Sequence, residues 1–454
     1  MEALCPLLAC PRCDHTPLTV VGEAYRCEPC RVQFPVLAGV PWLFAEPQAA
    51  QDEWRARFGR SQSELESERD LARLACGAGS ASVLTRSRLT HLVSAYEGQI
   101  AAQQNLLAPL LGSPAPARHE AYLALRTRLP VEQGLATYAA NLFRDWTWGE
   151  EENAAALSLV RTALGRAPAG PVLVLGSGGG RLAYDLHRAL APERTMALDL
   201  NPLLCFATKR IVSGEALALW EFPLAPRGTF DGAVSRTLSA PAPAKDNFHV
   251  VLADALRAPF PAGTFDIVIT PWLIDIVQDP PAAFAARINR LLRGGGTWIN
   301  FGSLAFARQD PAERWSLEEV LALVESAGFT APTWSEAEIP YLCSPASRHG
   351  RRERVVTFAA HKRADAAVVP RHEALPDWIA RGTTAVPLAP SFQRQAGTVG
   401  IHAFIMSLID GRRSLKDMAR VLEERGLMPR AEAEGALRSF LTTMYDESRR
   451  PRGL

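Results

Sequence analysis

The chain has 454 residues, of which 48% are hydrophobic, and its formal net charge is +1. This length exceeds that of one ordinary domain and predicts about two to four domains. The balanced charge excludes a chain-wide attraction to nucleic acid, and no apolar run reaches the roughly 18 residues of a membrane helix. We therefore expect a cytoplasmic protein with several domains and no nucleic-acid or membrane partner.

Residues 1–48 contain two CxxC pairs, Cys10 with Cys13 and Cys27 with Cys30. Each pair supplies two thiolates from a tight turn, so the four can surround Zn²⁺ as a tetrahedron. The alternative is a pair of redox motifs, but these normally open a helix in a thioredoxin-like unit. We predict a closed, structural zinc site that serves folding or the docking of a protein partner. The following stretch, FPVLAGVPWLF, resembles the end of the small zinc ribbons related to Trm112.

Residues 49–137 have a helical pattern and few motifs, and we predict a helical region there. The next stretch, YAANLFRDWTWGEEE, places two tryptophans beside the charged pair Arg144 and Asp145. This composition is unusual for a linker. A packed helix start is the simpler alternative to a functional role.

A glycine-rich turn follows the apolar run Val172–Leu175 and precedes the helix-like stretch RLAYDLHRAL. Such a junction lets backbone N–H groups and a positive helix end approach a nucleotide-like ligand. A dinucleotide fingerprint would need a glycine where Arg181 stands, so GxGxG is the better description, and that form is typical of S-adenosylmethionine (SAM) enzymes. Asp199 lies about 20 residues further on, where an acid can hold ribose hydroxyls. A purely structural tight turn is the alternative.

Strand and helix patterns continue to alternate after this loop. The stretch NPLLCFATKRIVSGEALALW predicts a helix with Asn201 as its N-cap, and residues 223–247 predict an insertion or long loop. FHVVLADAL predicts a third strand ending at Asp254, and GTFDIVITPWLIDIV predicts a fourth. A helix starts at Pro280 and is expected to stop at the glycines 294–296, before a fifth strand, TWINFGS.

This alternation predicts an α/β fold with a doubly wound, Rossmann-like parallel sheet over residues 138–365. Ligands of such sheets lie at the carboxyl ends of the strands, where Gly176, Asp199, Asp254 and Asp275 should converge. An acid at the position of Asp254 could accept a hydrogen bond from an adenine amino group. For Asp275, an ordinary helix N-cap is the structural alternative to a reactive role.

The last segment, 372–448, shows apolar residues at helical spacing. Its stretch LIDGRRSLKDMARVL resembles the small winged-helix PqqD-like domains, which can hold peptides. A plain helical appendage is the alternative, so a peptide or protein partner at this end stays open. The arginines of 345–365 favour a solvated loop that leads into the strand RVVTF over a nucleic-acid surface.

Taken together, residues 138–362 resemble the carnosine N-methyltransferase family, a family of SAM-dependent class I methyltransferases. The resemblance is carried, in order, by NLFRDW, VLVLGSGGGRLA, ALDLNPLL, LADAL, FDIVITPWLIDIV, LLRGGGTWINFGSL and IPYLCSP. It implies SAM as the cofactor, Asp275 as the catalytic aspartate, and Trp272 and Tyr341 beside the substrate. The cofactor residues that it implies are Asn141, Arg144, Gly176, Gly178, Gly180, Arg181, Asp199, Asp254, Ala255 and Ile267.

The sequence departs from this family where the substrate should lie. The family has a histidine after the WIN strand, in a pattern close to GPLLYHF, whereas here the position holds Ala307. The tyrosines expected beyond Tyr341 are not evident, and His349 and several arginines stand there instead. Asn141 also replaces the usual glutamine. We therefore expect an N-methyltransferase of a small molecule or peptide without specificity for carnosine. The competing hypothesis is a non-catalytic scaffold that links two docking modules.

Overall fold

The computed structural model divides into two compact units, Met1–Pro376 and Asp377–Leu454. Among the residues described, no helix combines the length and apolar character needed to cross a membrane. The described residues are 1–77, 81–112, 133–277, 279–308, 310–371, 385–387 and 390–449.

The chain begins with a ribbon of four short antiparallel strands in sequence order. These are β1 (Thr19–Val21), β2 (Ala24–Arg26), β3 (Gln33–Leu37) and β4 (Val40–Pro41). Tyr25 and Phe34 lie fully buried beneath it, together with two of the four paired cysteines. So small a sheet buries little apolar surface, which is the usual reason for a metal to supplement the core.

Two long helices follow the ribbon, α1 (Pro47–Cys76) and α2 (Val83–Leu107). They pack against each other, and the Gln62 amide donates a 2.9 Å hydrogen bond to Gln103 between them. The rest of the segment predicted to be helical, over 113–132, lies outside the described residues.

The strands after the ribbon are β5 (Val172–Leu175), β6 (Thr195–Asp199), β7 (Leu217–Glu221), β8 (Val234–Leu238), β9 (Phe248–Leu252), β10 (Phe265–Pro271), β11 (Leu292–Gly302), β12 (Thr333–Tyr341) and β13 (Arg351–His361). Seven of them form the sheet at the centre of the first unit, in the order β12-β13-β11-β10-β5-β6-β9. Strands β11, β10, β5, β6 and β9 are parallel, and β13 is antiparallel to both of its neighbours.

Both faces of the sheet are buried, as expected for a doubly wound sheet. Val172 and Val174 belong to one apolar cluster, and the alternate residues Leu173 and Leu175 belong to another. The helices that cover the faces are α3 (Ala139–Phe143), α4 (Glu150–Leu164), α5 (Arg181–Leu190), α6 (Pro202–Val212), α7 (Pro281–Leu291) and α8 (Leu317–Ser326). The α/β, Rossmann-like prediction is confirmed.

Three local predictions are wrong. The helix capped by Asn201 ends at Val212, because Gly214 adopts a φ of +97°, and the ALALW stretch forms β7 instead. Strand β7 pairs with β8, which lies inside the segment predicted to be a loop. The glycines 294–296 do not end a helix but extend β11, where the Lys362 N–H donates to the Gly296 carbonyl at 2.8 Å.

The second unit is helical in its described part, with α9 (Pro390–Ser407), α10 (Leu415–Glu424) and α11 (Arg430–Arg449). A capping box of Ser414 and Asp417 starts α10. Its small core includes Ile405, Leu408, Met418, Leu422 and Leu437. The PqqD-like prediction stays a prediction.

Candidate active site and metal centre

A cavity of about 360 Å³ opens at the carboxyl edge of the parallel strands. The four residues predicted to converge at this edge, Gly176, Asp199, Asp254 and Asp275, all line it. Ala255, Asn141, Arg144, Trp272 and Tyr341 line it as well. The structure therefore gathers most of the predicted cofactor and substrate residues around one space.

The glycine turn is held in a backbone conformation that most residues avoid. Gly176 and Gly178 have φ values of +69° and +58°. The Gly178 N–H donates a 2.8 Å hydrogen bond to Asp199, whose other carboxylate oxygen accepts from the Asn201 N–H at 3.0 Å. Burial raises the pKa of Asp199, and these backbone donors oppose the shift. Asp199 is thus fixed in orientation and keeps lone pairs for a ligand.

The turn after β9 supplies the next part of the wall. Asp254 accepts a 2.8 Å hydrogen bond from the Leu256 N–H and so caps the short 3₁₀ turn Ala255–Arg257. The Ala253 N–H donates to the Asp199 carbonyl at 3.1 Å. These bonds place the two acidic side chains on adjacent strand ends.

The RDW segment clamps the glycine loop from the other side. The Trp146 indole N–H donates to the Gly179 carbonyl at 2.7 Å. Arg144 forms ion pairs with Asp145 and Glu152. Burial opposes the charge of Arg144, but the two carboxylates raise its pKa, so the guanidinium stays charged at the cavity wall.

Three residues implied by the family resemblance do not line the cavity: Gly180, Arg181 and Ile267. Arg181 donates to the Asp145 carbonyl at 2.9 Å and to Asp185 at 2.8 Å, so it braces the loop from behind. Ile267 has no exposed surface and pairs within the sheet, two residues from the start of β10 and away from its carboxyl end. Ile267 therefore packs in the core of the sheet and does not reach the cavity.

One side of the cavity is aromatic. The Trp272 ring lies 4.7 Å from the Tyr341 ring, centroid to centroid, and packs edge-on against Phe301. Trp272 has a φ of +51°, and its N–H donates to the Phe301 carbonyl at 2.7 Å. A β-carbon on Gly302 would lie 3.1 Å from the Trp272 Cα, so this glycine permits the close approach. A strained, over-determined residue in a ligand cavity is a common feature of functional sites.

Asp275 joins the loops that follow β10 and β11. Its carboxylate accepts a 2.8 Å hydrogen bond from the Ala305 N–H and lies 3.4 Å from the Ser303 hydroxyl. The next helix, α7, has Pro280 as its N-cap residue, so Asp275 does not cap it. Ala307, at the position of the family's histidine, is exposed and lies outside the cavity lining.

Sequence reasoning missed Tyr138 and Arg351, which also line the cavity. Burial raises the pKa of Tyr138, as do the nearby carboxylates of Asp199 and Asp275. The Arg351 guanidinium lies 4.6 Å over the Tyr341 ring. The sequence signal for Tyr138 was its place at the start of the stretch that includes the RDW motif. Arg351 had no such signal, because its pairing with Tyr341 depends on strand register.

The four paired cysteines form a second candidate site. The sulfur atoms of Cys10, Cys13, Cys27 and Cys30 all lie within 4.8 Å of one another, and those of Cys13 and Cys27 are 3.6 Å apart. Tetrahedral zinc with Zn–S bonds of about 2.3 Å separates its sulfurs by about 3.8 Å. The cluster fits a structural zinc ion. His349, by contrast, is exposed and contacts Ser347 through its backbone.

The fold is a Rossmann-like one with a cavity at the carboxyl ends of its parallel strands, where such folds bind nucleotide-like cofactors. Residues 173–300 match the family described as "Methyltransferase domain", less than half of the chain. This part of the chain is a SAM-dependent methyltransferase domain. A search of curated proteins found no match.

Solved structures with a similar fold include several methyltransferases. NodS, an N-methyltransferase of Bradyrhizobium japonicum solved with S-adenosylhomocysteine, is 13% identical with a TM-score of 0.34, over 51% of this chain and 98% of NodS. A chain from the Haloferax volcanii complex of the Trm112 methyltransferase activator with a methyltransferase is 16% identical with a TM-score of 0.35, over 52% of this chain and 100% of that one. Phosphoethanolamine N-methyltransferase 2 of Haemonchus contortus is 13% identical with a TM-score of 0.33, over 51% of this chain and 58% of the enzyme.

Proposed function

We propose that the protein is a SAM-dependent N-methyltransferase of a small molecule or peptide. The observation that carries the proposal is the Asp275 carboxylate, which lies in the same cavity as the Trp272 and Tyr341 rings and the cofactor-type acids. It also rests on the family resemblance of the RDW and WIN segments.

The cavity residues fit SAM by their chemistry. In this proposal Asp199, which the Gly178 N–H orients, accepts hydrogen bonds from the ribose hydroxyls, and Asp254, which caps the next turn, accepts one from the adenine amino group. The glycine turn brings backbone close to the ligand without side chains in the way. When bound, SAM supplies an electrophilic methyl group on a sulfonium. The cavity residues hold it and exclude water, and such positioning lowers barriers by about 7–11 kcal/mol.

The charge of the cavity favours a nitrogen nucleophile. Asp199, Asp254 and Asp275 are acidic, while the two lining arginines have acidic partners: Arg144 pairs with Asp145 and Glu152, and Arg351 with Glu353. Carboxylates beside aromatic rings attract amines and imidazoles, through charge and through the ring faces. With SAM bound, a neutral amine or imidazole nitrogen of the substrate would be the acceptor of its methyl group. Asp275 orients that nitrogen or accepts its proton.

The experiment that tests the role of Asp275 is the substitution Asp275→Asn. Asparagine keeps an oxygen that can accept from the Ala305 N–H, so the fold and SAM affinity should persist. Loss of the carboxylate charge should lower turnover by about 10²-fold or more. Asp310→Asn is the matched control, since Asp310 makes a similar bond to a backbone N–H at an exposed turn outside the cavity.

A turnover rate of the Asp275→Asn variant equal to that of the wild type would contradict the catalytic role of Asp275. SAM binding without turnover of any acceptor by the wild-type chain would favour the scaffold hypothesis instead. Both readouts are obtained from one set of calorimetric and product-mass measurements.

A further inference from the structure

The segment that follows β4 of the ribbon lies beside β9, the last strand of the central sheet, and joins it through one isolated bridge. The Leu43 N–H donates a 2.7 Å hydrogen bond to the Leu252 carbonyl, and Trp42 forms a parallel bridge with Leu252. Leu252 is the last residue of β9, so this contact lies one residue before the cavity wall at Ala253.

A second attachment joins the ribbon to the far end of the same turn. The Arg257 guanidinium donates a 3.1 Å hydrogen bond to the carbonyl of Pro11, a residue between Cys10 and Cys13. Arg257 is only 7% exposed, so the bond is shielded from water. Nearby, the Ala9 N–H donates to the Pro259 carbonyl at 2.8 Å. The backbone around the first CxxC pair, Cys10 with Cys13, thus contacts Arg257, which directly follows the cavity-lining residue Leu256.

The turn Ala253–Leu256 between these two attachments lines the cavity. Its Asp254 caps the 3₁₀ turn that contains Arg257, and Leu256 packs in one apolar cluster with Leu8 and Leu18 of the ribbon. A shift of the backbone between Cys10 and Cys13 would therefore move the turn that carries Asp254.

We propose that zinc in the four-cysteine site strengthens SAM binding through Arg257, a positioning residue that does not line the cofactor cavity. Zinc fixes the backbone between Cys10 and Cys13, which keeps the Pro11 carbonyl aimed at the guanidinium. A buried hydrogen bond to a charged group is costly to lose, so the two sites share one geometry. The proposal rests on the zinc site and the SAM site, and is independent of which atom receives the methyl group.

Thermodynamic linkage gives the test, because SAM must raise zinc affinity by the factor by which zinc raises SAM affinity. The zinc affinity of the full chain is measured by competition with a chelator, with and without saturating S-adenosylhomocysteine. We expect the nucleoside to raise zinc affinity by about fivefold or more, at the lower end of common coupling factors. Equal zinc affinity in both conditions, or a purified chain without zinc, would overturn the proposal.

Arg257→Met should keep the zinc and abolish most of this coupling, while Arg257→Lys, which retains a charged donor, should keep part of it. Arg194→Met is the matched control: Arg194 donates to the Ala3 carbonyl of the ribbon at 3.0 Å but does not contact the turn. The control should couple as the wild type does. Full coupling between zinc and S-adenosylhomocysteine in a folded Arg257→Met protein would show that Arg257 does not carry the coupling. If the methionine variant fails to fold, the comparison is made with Arg257→Lys: a coupling factor equal to that of Arg194→Met would lead to the same conclusion.

Discussion

Replacing Gly180 with alanine should disturb the glycine turn at a residue that does not line the cavity. Gly180 has a φ of +83°, and a β-carbon there would lie 2.3 Å from Cγ2 and 3.0 Å from Oγ1 of Thr208. The left-handed backbone costs about 1–2 kcal/mol for a residue with a β-carbon. Overpacking against a buried side chain costs about 1–3 kcal/mol more. The sum predicts a loss of about 2–5 kcal/mol in the free energy of unfolding of the first unit.

Thr208 also anchors the loop, because its hydroxyl donates to the Gly179 carbonyl at 2.8 Å. The second substitution Thr208→Ser removes the clashing methyl group and keeps this hydroxyl, so Gly180→Ala with Thr208→Ser should recover the steric part of the loss, about 1–3 kcal/mol. Urea unfolding followed by tryptophan fluorescence, with SAM calorimetry on each variant, measures both effects. A Gly180→Ala protein within about 0.5 kcal/mol of the wild type, with unchanged SAM affinity, would refute the loop geometry.

Three further predictions concern single side chains. Asp199→Ala should weaken SAM binding by about 1.5–3 kcal/mol, the value of a charged hydrogen bond, and unchanged affinity by calorimetry would remove Asp199 from the site. Cys27→Ser should release the single zinc ion expected per chain, and metal analysis that finds no zinc in wild-type protein purified without chelator would contradict the ribbon assignment. Burial opposes ionisation of Asp266, but hydrogen bonds from Arg166, a backbone amide and Arg293 lower its pKa from 3.8 to about 2. The ionised Asp266 therefore stabilises the fold above pH 3.8, and this contribution is lost as the pH falls through about 2. Over that interval, urea unfolding should show a larger loss in the free energy of unfolding for the wild type than for Asp266→Asn. Equal losses would contradict the ion-pair account.

The central fold was predictable because its signals are local. Alternating strand and helix patterns, a glycine turn and an acid at a fixed distance place Gly176 and Asp199 without any knowledge of packing. The β7 strand was not predictable, since its short apolar stretch fits a helix extension as well as a strand, and only pairing with β8 decides the matter. The antiparallel insertion of β13 likewise depends on contacts far apart in the chain.

The candidate site divides in the same way. Asp275 and Trp272 could be found because they belong to a motif next to a strand end. Arg351 reaches the cavity only through its register with Tyr341. The bond between Arg257 and Pro11 joins residues 246 positions apart, and neither residue type signals the other.

We propose that this chain transfers a methyl group from SAM to nitrogen. To test this, the full chain is incubated with SAM that carries an isotopically labelled methyl group and with a panel of amines, imidazoles and short peptides that includes carnosine. Fragmentation mass spectrometry then locates the label in the product. We predict S-adenosylhomocysteine and a product with the label on nitrogen, with carnosine a poor substrate or none because Ala307 stands at the histidine position. A label found on oxygen or carbon, or SAM bound without any labelled product, would contradict the claim.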